Sequence, residues 1–140
     1  MRQVEDVRAR VHAAGELAEL LGVAWDALTV LRDACRECGD TDTGLFAAFA
    51  FAATAAAQAR LTLASAPSLP AARGTDAGHA SFVSHGLGDG ADRLAGLARV
   101  LHERLSQAAT DAGDPGDREV CKQAAAEAAQ VVELLSRDGP

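Results

Sequence analysis

Apolar side chains return every three or four positions along most of this chain, the period of a helix that buries one face. Val4, Val7, Val11, Ala14, Ala18 and Leu21 form such a stripe over Gln3–Leu21, and Leu17 and Leu20 widen it. Gly22 then serves as the stop signal. A second helix is predicted over Ala24–Cys38, with Trp25, Leu28, Leu31 and Cys35 on one side. Gly39 follows as its C-terminal stop, and Asp40-Thr41-Asp42-Thr43 supplies caps for the next helix.

The third helix, Gly44–Ser65, breaks the pattern because it has no polar side. Leu45, Phe46, Phe49 and Phe51 open it, and alanines surround the axis until Gln58 and Arg60. A helix apolar on nearly every side is covered by neighbours in several directions, which makes this one the expected central helix. Pro67-Ser68-Leu69-Pro70 stops it and begins a long Pro/Gly-rich loop, 67–90, read as flexible, with Phe82, Val83 and Leu87 able to pin part of it. Helix four is expected over Ala91–Ala112, on a stripe of Leu94, Leu97, Leu101, Leu105 and Ala108. Helix five has the clearest start: Asp114 to cap, Pro115 at the first helical position, and Asp117 in the positive first turn. Its stripe is Val120, Ala124, Ala128, Val131 and Leu135. No strand-like alternation and no internal repeat interrupts the series. The expected fold is therefore all-α: one domain over 1–140, an antiparallel helical bundle of about five helices with a long loop between helices three and four.

Composition narrows the function classes. The chain has 140 residues, 13 basic against 20 acidic, and a formal net charge of −7. No basic excess exists to displace counterions from a phosphate backbone, so no nucleic-acid partner is expected. The strongly apolar run Leu45–Ala57 suits a buried helix better than a membrane span of roughly 20 residues, so no membrane partner is expected either. The charged opening Met1-Arg2-Gln3-Val4-Glu5-Asp6 lacks the apolar core of a signal peptide. Three cysteines do not make a secreted disulfide framework, and the expected location is cytoplasmic. Alanine fills about a quarter of the chain and Lys122 is its one lysine, a bias that matches a GC-rich bacterial genome.

Cys35-Arg36-Glu37-Cys38 is the motif with most chemistry in it, since the spacing is that of redox dithiols and of half a zinc site. Cys121 and His102 could come to the same end of a bundle and complete a zinc set, so Cys35, Cys38, Cys121 and His102 are the candidate metal ligands. The pair sits late in its helix, where the dipole opposes a thiolate, and small buried hydrophobes are the competing reading. The motif resembles that of the all-helical alkylhydroperoxidase D family, whose Cys pair works with a Glu and a following His. Here Asp42 stands where that family places its His, and no upstream Glu matches, so the resemblance does not carry the activity over. Trp25-Asp26-Ala27 resembles the Trp-x-Gly hairpin of small type VII secretion substrates, with Ala27 in place of the glycine.

The remaining candidates have plainer readings. His79 and His85, with Ser81 and Ser84, lie in the loop without the scaffold or oxyanion donors that a Ser–His nucleophile needs. Gly86-Leu87-Gly88-Asp89-Gly90 lacks the strand and lysine of a phosphate loop and reads as a hinge with an N-cap. Arg32, Arg36, Asp33 and Glu37 make charged rows that are either a solvated face or a docking strip.

No catalytic residue emerges, and no cofactor beyond the zinc those thiols could take. The expectation is a non-enzymatic interaction or regulatory module that forms a homodimer across helices one and two. Two other classes stay open: a thiol-based metal or redox protein using Cys35 and Cys38, and a small-ligand-binding bundle with the 67–90 loop as lid.

Overall fold

The computed structural model describes residues 2–41, 46–69 and 87–136. They form α1 (Arg2–Ala13), α2 (Leu17–Thr41), α3 (Phe46–Ala64), α4 (Leu87–Asp111) and α5 (Pro115–Ser136), with no strand among them. Helices α2, α3, α5 and α4 follow one another around the bundle, and α1 closes the seam between α2 and α4.

Polar and aromatic ties fix the directions. Thr62 donates to Glu127 and Ser68 to Asp117, so α3 and α5 run antiparallel. His102 Nδ1 meets the Ala125 carbonyl at 2.9 Å, pairing α4 with α5 in the same sense. Arg60 lies 4.3 Å over the Trp25 ring, while a Cβ at Gly39 would meet Phe49, and this makes α2 and α3 antiparallel. By contrast Glu5 pairs with Arg93 and Val11 with Arg104, so α1 runs parallel to α4. It follows that α3 and α4 also point the same way from diagonal positions. The connection between them has to return the length of α4, about 37 Å at 1.5 Å per residue. Residues 65–86, at about 3.3 Å each when extended, can reach farther than that. A long link is what this topology requires.

The core is built from the predicted stripes. Leu21, Leu28 and Leu31 of α2, Phe49 and Leu63 of α3, and Leu94, Leu97, Leu101 and Leu105 of α4 are fully buried. Ala52, Ala56 and Ala59 on α3 and Ala124 and Ala128 on α5 are buried too, and such small side chains let the backbones approach closely. The start of α5 is as expected. Asp114 Oδ1 accepts from the N–H groups of Gly116 at 2.7 Å and Asp117 at 3.2 Å.

Four sequence expectations are corrected. The first helix ends at Ala13, not at Leu21. Arg104 of α4 donates through Nε to the Val11 carbonyl at 3.2 Å and through its guanidinium to that of Ala14, satisfying the end of α1 there. Gly22 lies inside α2, with Leu20, Leu21, Val23 and Ala24 buried around it. Second, α2 passes through Gly39 to Thr41, because Gly39 is where Phe49 packs on its backbone: a Cβ there would stand 3.2 Å from Phe49 Cβ. Third, α3 is a corner helix and not a central one, touching only α2 and α5. Fourth, the 67–90 loop is shorter than expected at both ends. Ser68 is held by Asp117 and Leu69 packs on the core, while α4 starts at Leu87 and incorporates Gly88 and Gly90, two of the three glycines read as a hinge. Residues 70–86 lie outside the described residues, and with them His79, Ser81, Phe82, Val83, Ser84 and His85.

Candidate functional site

Cys35 and Cys38 are both buried on α2, one turn apart. Burial pushes the Cys35 thiol far above the ordinary cysteine range, and a charge on Cys38 would push it further. This is the reverse of the electropositive, accessible setting that makes a thiol reactive. Cys121 is buried on α5, where desolvation, then the carboxylate of Asp117 one turn earlier, raises it to about 11. The two helices sit diagonally without close backbone approach, and Cys121, early in α5, lies toward the opposite end of the bundle from the Cys pair late in α2. His102 is turned toward the Ala125 carbonyl between α4 and α5. The four candidate ligands therefore do not converge. Among the described residues, no group of three or more His, Cys, Asp or Glu is placed to hold a metal.

The other sequence candidates also find ordinary places. Trp25 is in the interior of α2, half-buried under Arg60, rather than beside the turn at Ala14–Glu16 where a hairpin motif would be. Arg32 Nε reaches Asp33 at 2.9 Å within the same helix. Asp42 lies outside the described residues.

What sequence reading missed is the open face of α3. Packing between α2 and α5 buries Phe49, Ala52, Ala56, Ala59 and Leu63, and leaves the opposite side outward. Phe51 is 63% exposed, Leu61 65% and Phe46 56%. Ala47, Ala50, Thr54, Gln58 and Ala64 lie exposed between them. Thr54 returns its hydroxyl to the Ala50 carbonyl at 3.1 Å, removing a donor from the surface. The helix holds one charged residue, Arg60, and that one is half-buried over Trp25. An uncharged strip with two projecting phenylalanines and a leucine runs the length of α3. Single exposed apolar residues are normal on a surface, whereas a continuous strip of them marks a contact site.

By length and hydropathy alone (mean 1.3), Phe46–Ala64 could also cross a membrane, although 39% of it is buried within the bundle. The Thr62–Glu127 hydrogen bond at 2.8 Å ties its inner side to α5. The fold and this face together define, among the described residues, an all-α bundle in which α3 keeps an apolar side exposed. No family model, no curated protein and no solved structure matches the chain.

Proposed function

We propose that this chain is a non-enzymatic helical-bundle interaction module that pairs with a second copy of itself through the outer face of α3. The uncharged strip of Phe46, Phe51 and Leu61 carries the reading. A two-fold contact lays a patch against itself, so a patch of one charge sign would repel its own copy. Two copies of a chain with net charge −7 repel over most of their surface, and the α3 strip is where that repulsion is absent. Helix α3 has 19 residues, a strip about 28 Å long. Ala47, Ala50 and Thr54 allow a facing helix to come near the close limit of about 8 Å. The seam across helices one and two is the alternative, and its α1 part exposes the charged residues Glu5, Asp6, Arg8 and Arg10. Three thiols without disulfides suit the reducing cytoplasm of a bacterial cell, the setting this reading assumes.

Light scattering on a gel-filtration column at micromolar concentration tests the proposal. The expected mass is twice 14.3 kDa. Phe51→Glu with Leu61→Glu should reduce it to the monomer while helix content stays unchanged, because both side chains are outside the core. A wild-type monomer, or a double variant that remains paired, overturns the reading. If the wild-type monomer instead floats with phosphatidylcholine vesicles, lipid covers the face and self-association is wrong.

A further inference from the structure

Helices α4 and α5 form an open groove of about 410 Å³ on their outer side. Its lining has a charge sign opposite to that of the chain. Arg118 and Lys122 stand on one wall, one turn apart on α5, with His102 on α4, and no carboxylate of the described residues lines the space. Lys122 makes no ion pair with any described residue. The Arg118 guanidinium is held in place through a hydrogen bond from Nη2 to the Ala112 carbonyl at 2.9 Å. A carbonyl can only accept, so His102 Nδ1 carries the proton that reaches Ala125, and Nε2 is the ring atom left for a ligand. Ser106 and Thr110 add hydroxyls, and Ala109 and Ala126 give an apolar patch beside them.

We propose that this groove binds a small phosphate monoester, with the phosphate between Arg118 and Lys122 and an apolar stem on the alanine patch. Two positive charges, one of them held in place, match the charge of about −1.5 to −2 that a phosphate monoester carries near neutrality. A carboxylate, with a single charge, would leave one cation unmatched. The guanidinium offers a planar fork to two phosphate oxygens, and the ammonium supplies a mobile point charge beside it. His102 Nε2 accepts from a phosphate hydroxyl, or donates to a phosphate oxygen once protonated. The site lies on α4 and α5, does not involve the α3 face, and stands whether or not the chain pairs.

Because Lys122 is the one lysine, reductive methylation with ¹³C-formaldehyde marks that side chain and the amino terminus, and it preserves the positive charge. Phenyl phosphate is expected to move the Lys122 methyl resonance along a saturating curve, and sodium chloride of equal ionic strength is not. Arg118→Gln should weaken binding at least about tenfold, the effect of losing a charge-assisted pair. Since Arg118 also holds the end of α4, Ala126→Glu provides the second arm. That residue is exposed and helix-compatible, and the new carboxylate should weaken binding by a similar factor with unchanged circular dichroism. A shift that follows ionic strength without saturating overturns the proposal. So does benzoate binding as tightly as phenyl phosphate, or an Ala126→Glu variant that binds as the wild type does.

Discussion

Ser68 and Asp117, 49 positions apart, are joined twice: the Ser68 backbone N–H donates to Oδ1 at 3.0 Å and its hydroxyl to Oδ2 at 2.5 Å. The carboxylate is 2% exposed and lies in the first turn of α5, where the helix dipole favours negative charge. Both bonds are charge-assisted, so the pair closes one end of the bundle by locking the segment after α3 onto α5. Asp117→Ala should destabilise the fold by about 2–4 kcal/mol, since it also leaves the part-buried Ser68 donors without their acceptor. Ser68→Ala, which keeps the backbone bond, should cost about 1–2 kcal/mol. Urea titrations of the two variants check the order.

Two glycines should respond in opposite ways to an added side chain. At Gly39 a Cβ stands 3.2 Å from the Cβ of Phe49, which is itself buried and cannot retreat. Gly39→Val is therefore expected to lose about 1–3 kcal/mol through overpacking. At Gly113, between α4 and α5, nothing lies within 4 Å and the backbone φ is not positive. Gly113→Ala should gain about 0.4–1 kcal/mol by restricting the unfolded chain. Equal effects at the two positions would contradict the close approach of α2 and α3.

Arg104 should matter more for α1 than for its own helix. It supplies the donors to the Val11 and Ala14 carbonyls, and the other described polar tie from α1 to α4 is the exposed Arg93–Glu5 pair, beside the apolar packing of Val4, Val7 and Val11. Arg104→Ala is expected to cost about 1–3 kcal/mol. Amide exchange should accelerate in α1 first, well before the α4–α5 pair is affected. Uniform acceleration along the chain would show that α1 is not a separable unit.

The thiols set an alkaline limit. Cys35 and Cys121 are held protonated in the fold, while the unfolded chain releases those protons above about pH 9. The unfolded state then binds fewer protons than the native state, so stability falls as pH rises from about 9 toward the Cys121 value of about 11, and beyond it for Cys35. The slope approaches 1.4 kcal/mol per pH unit for each thiol. Cys121→Ala should flatten the curve between pH 9 and 11, as thermal melts across that range would show. An equally steep decline in that variant would remove Cys121 from the account.

The sequence carried the helices well and their ends poorly. The leucine stripe of α4 and the Asp114–Pro115 start of α5 were legible because both are local: spacing fixes the first and a side chain three residues away fixes the second. The ends of α1 and α2 were misplaced for a non-local reason. Gly22 and Gly39 read as stop signals, but the first has buried neighbours on both sides and the second is packed by Phe49, while the actual end of α1 is set by Arg104 from far along the chain. The apolar composition of α3 was plain, but a helix without a polar side does not say which of its sides remains uncovered. The wide separation of Cys121 from Cys35 and Cys38 was invisible for the same reason, since it follows from the order of helices around the bundle. Asp117 was read as a helix-start residue; nothing near it in sequence points to Ser68.

Helices α3 and α4 run the same way from opposite corners, so the chain is divided into an α1–α2–α3 piece and an α4–α5 piece. The described ties of Thr62 to Glu127, Ser68 to Asp117, Glu5 to Arg93 and Val11 to Arg104 all pass between the two pieces. Thermodynamically the molecule resembles a heterodimer whose subunits happen to share one polypeptide. Fragments 1–69 and 87–140, mixed as separate peptides, should recover the helical bundle in proportion to their concentration, without any covalent link between them.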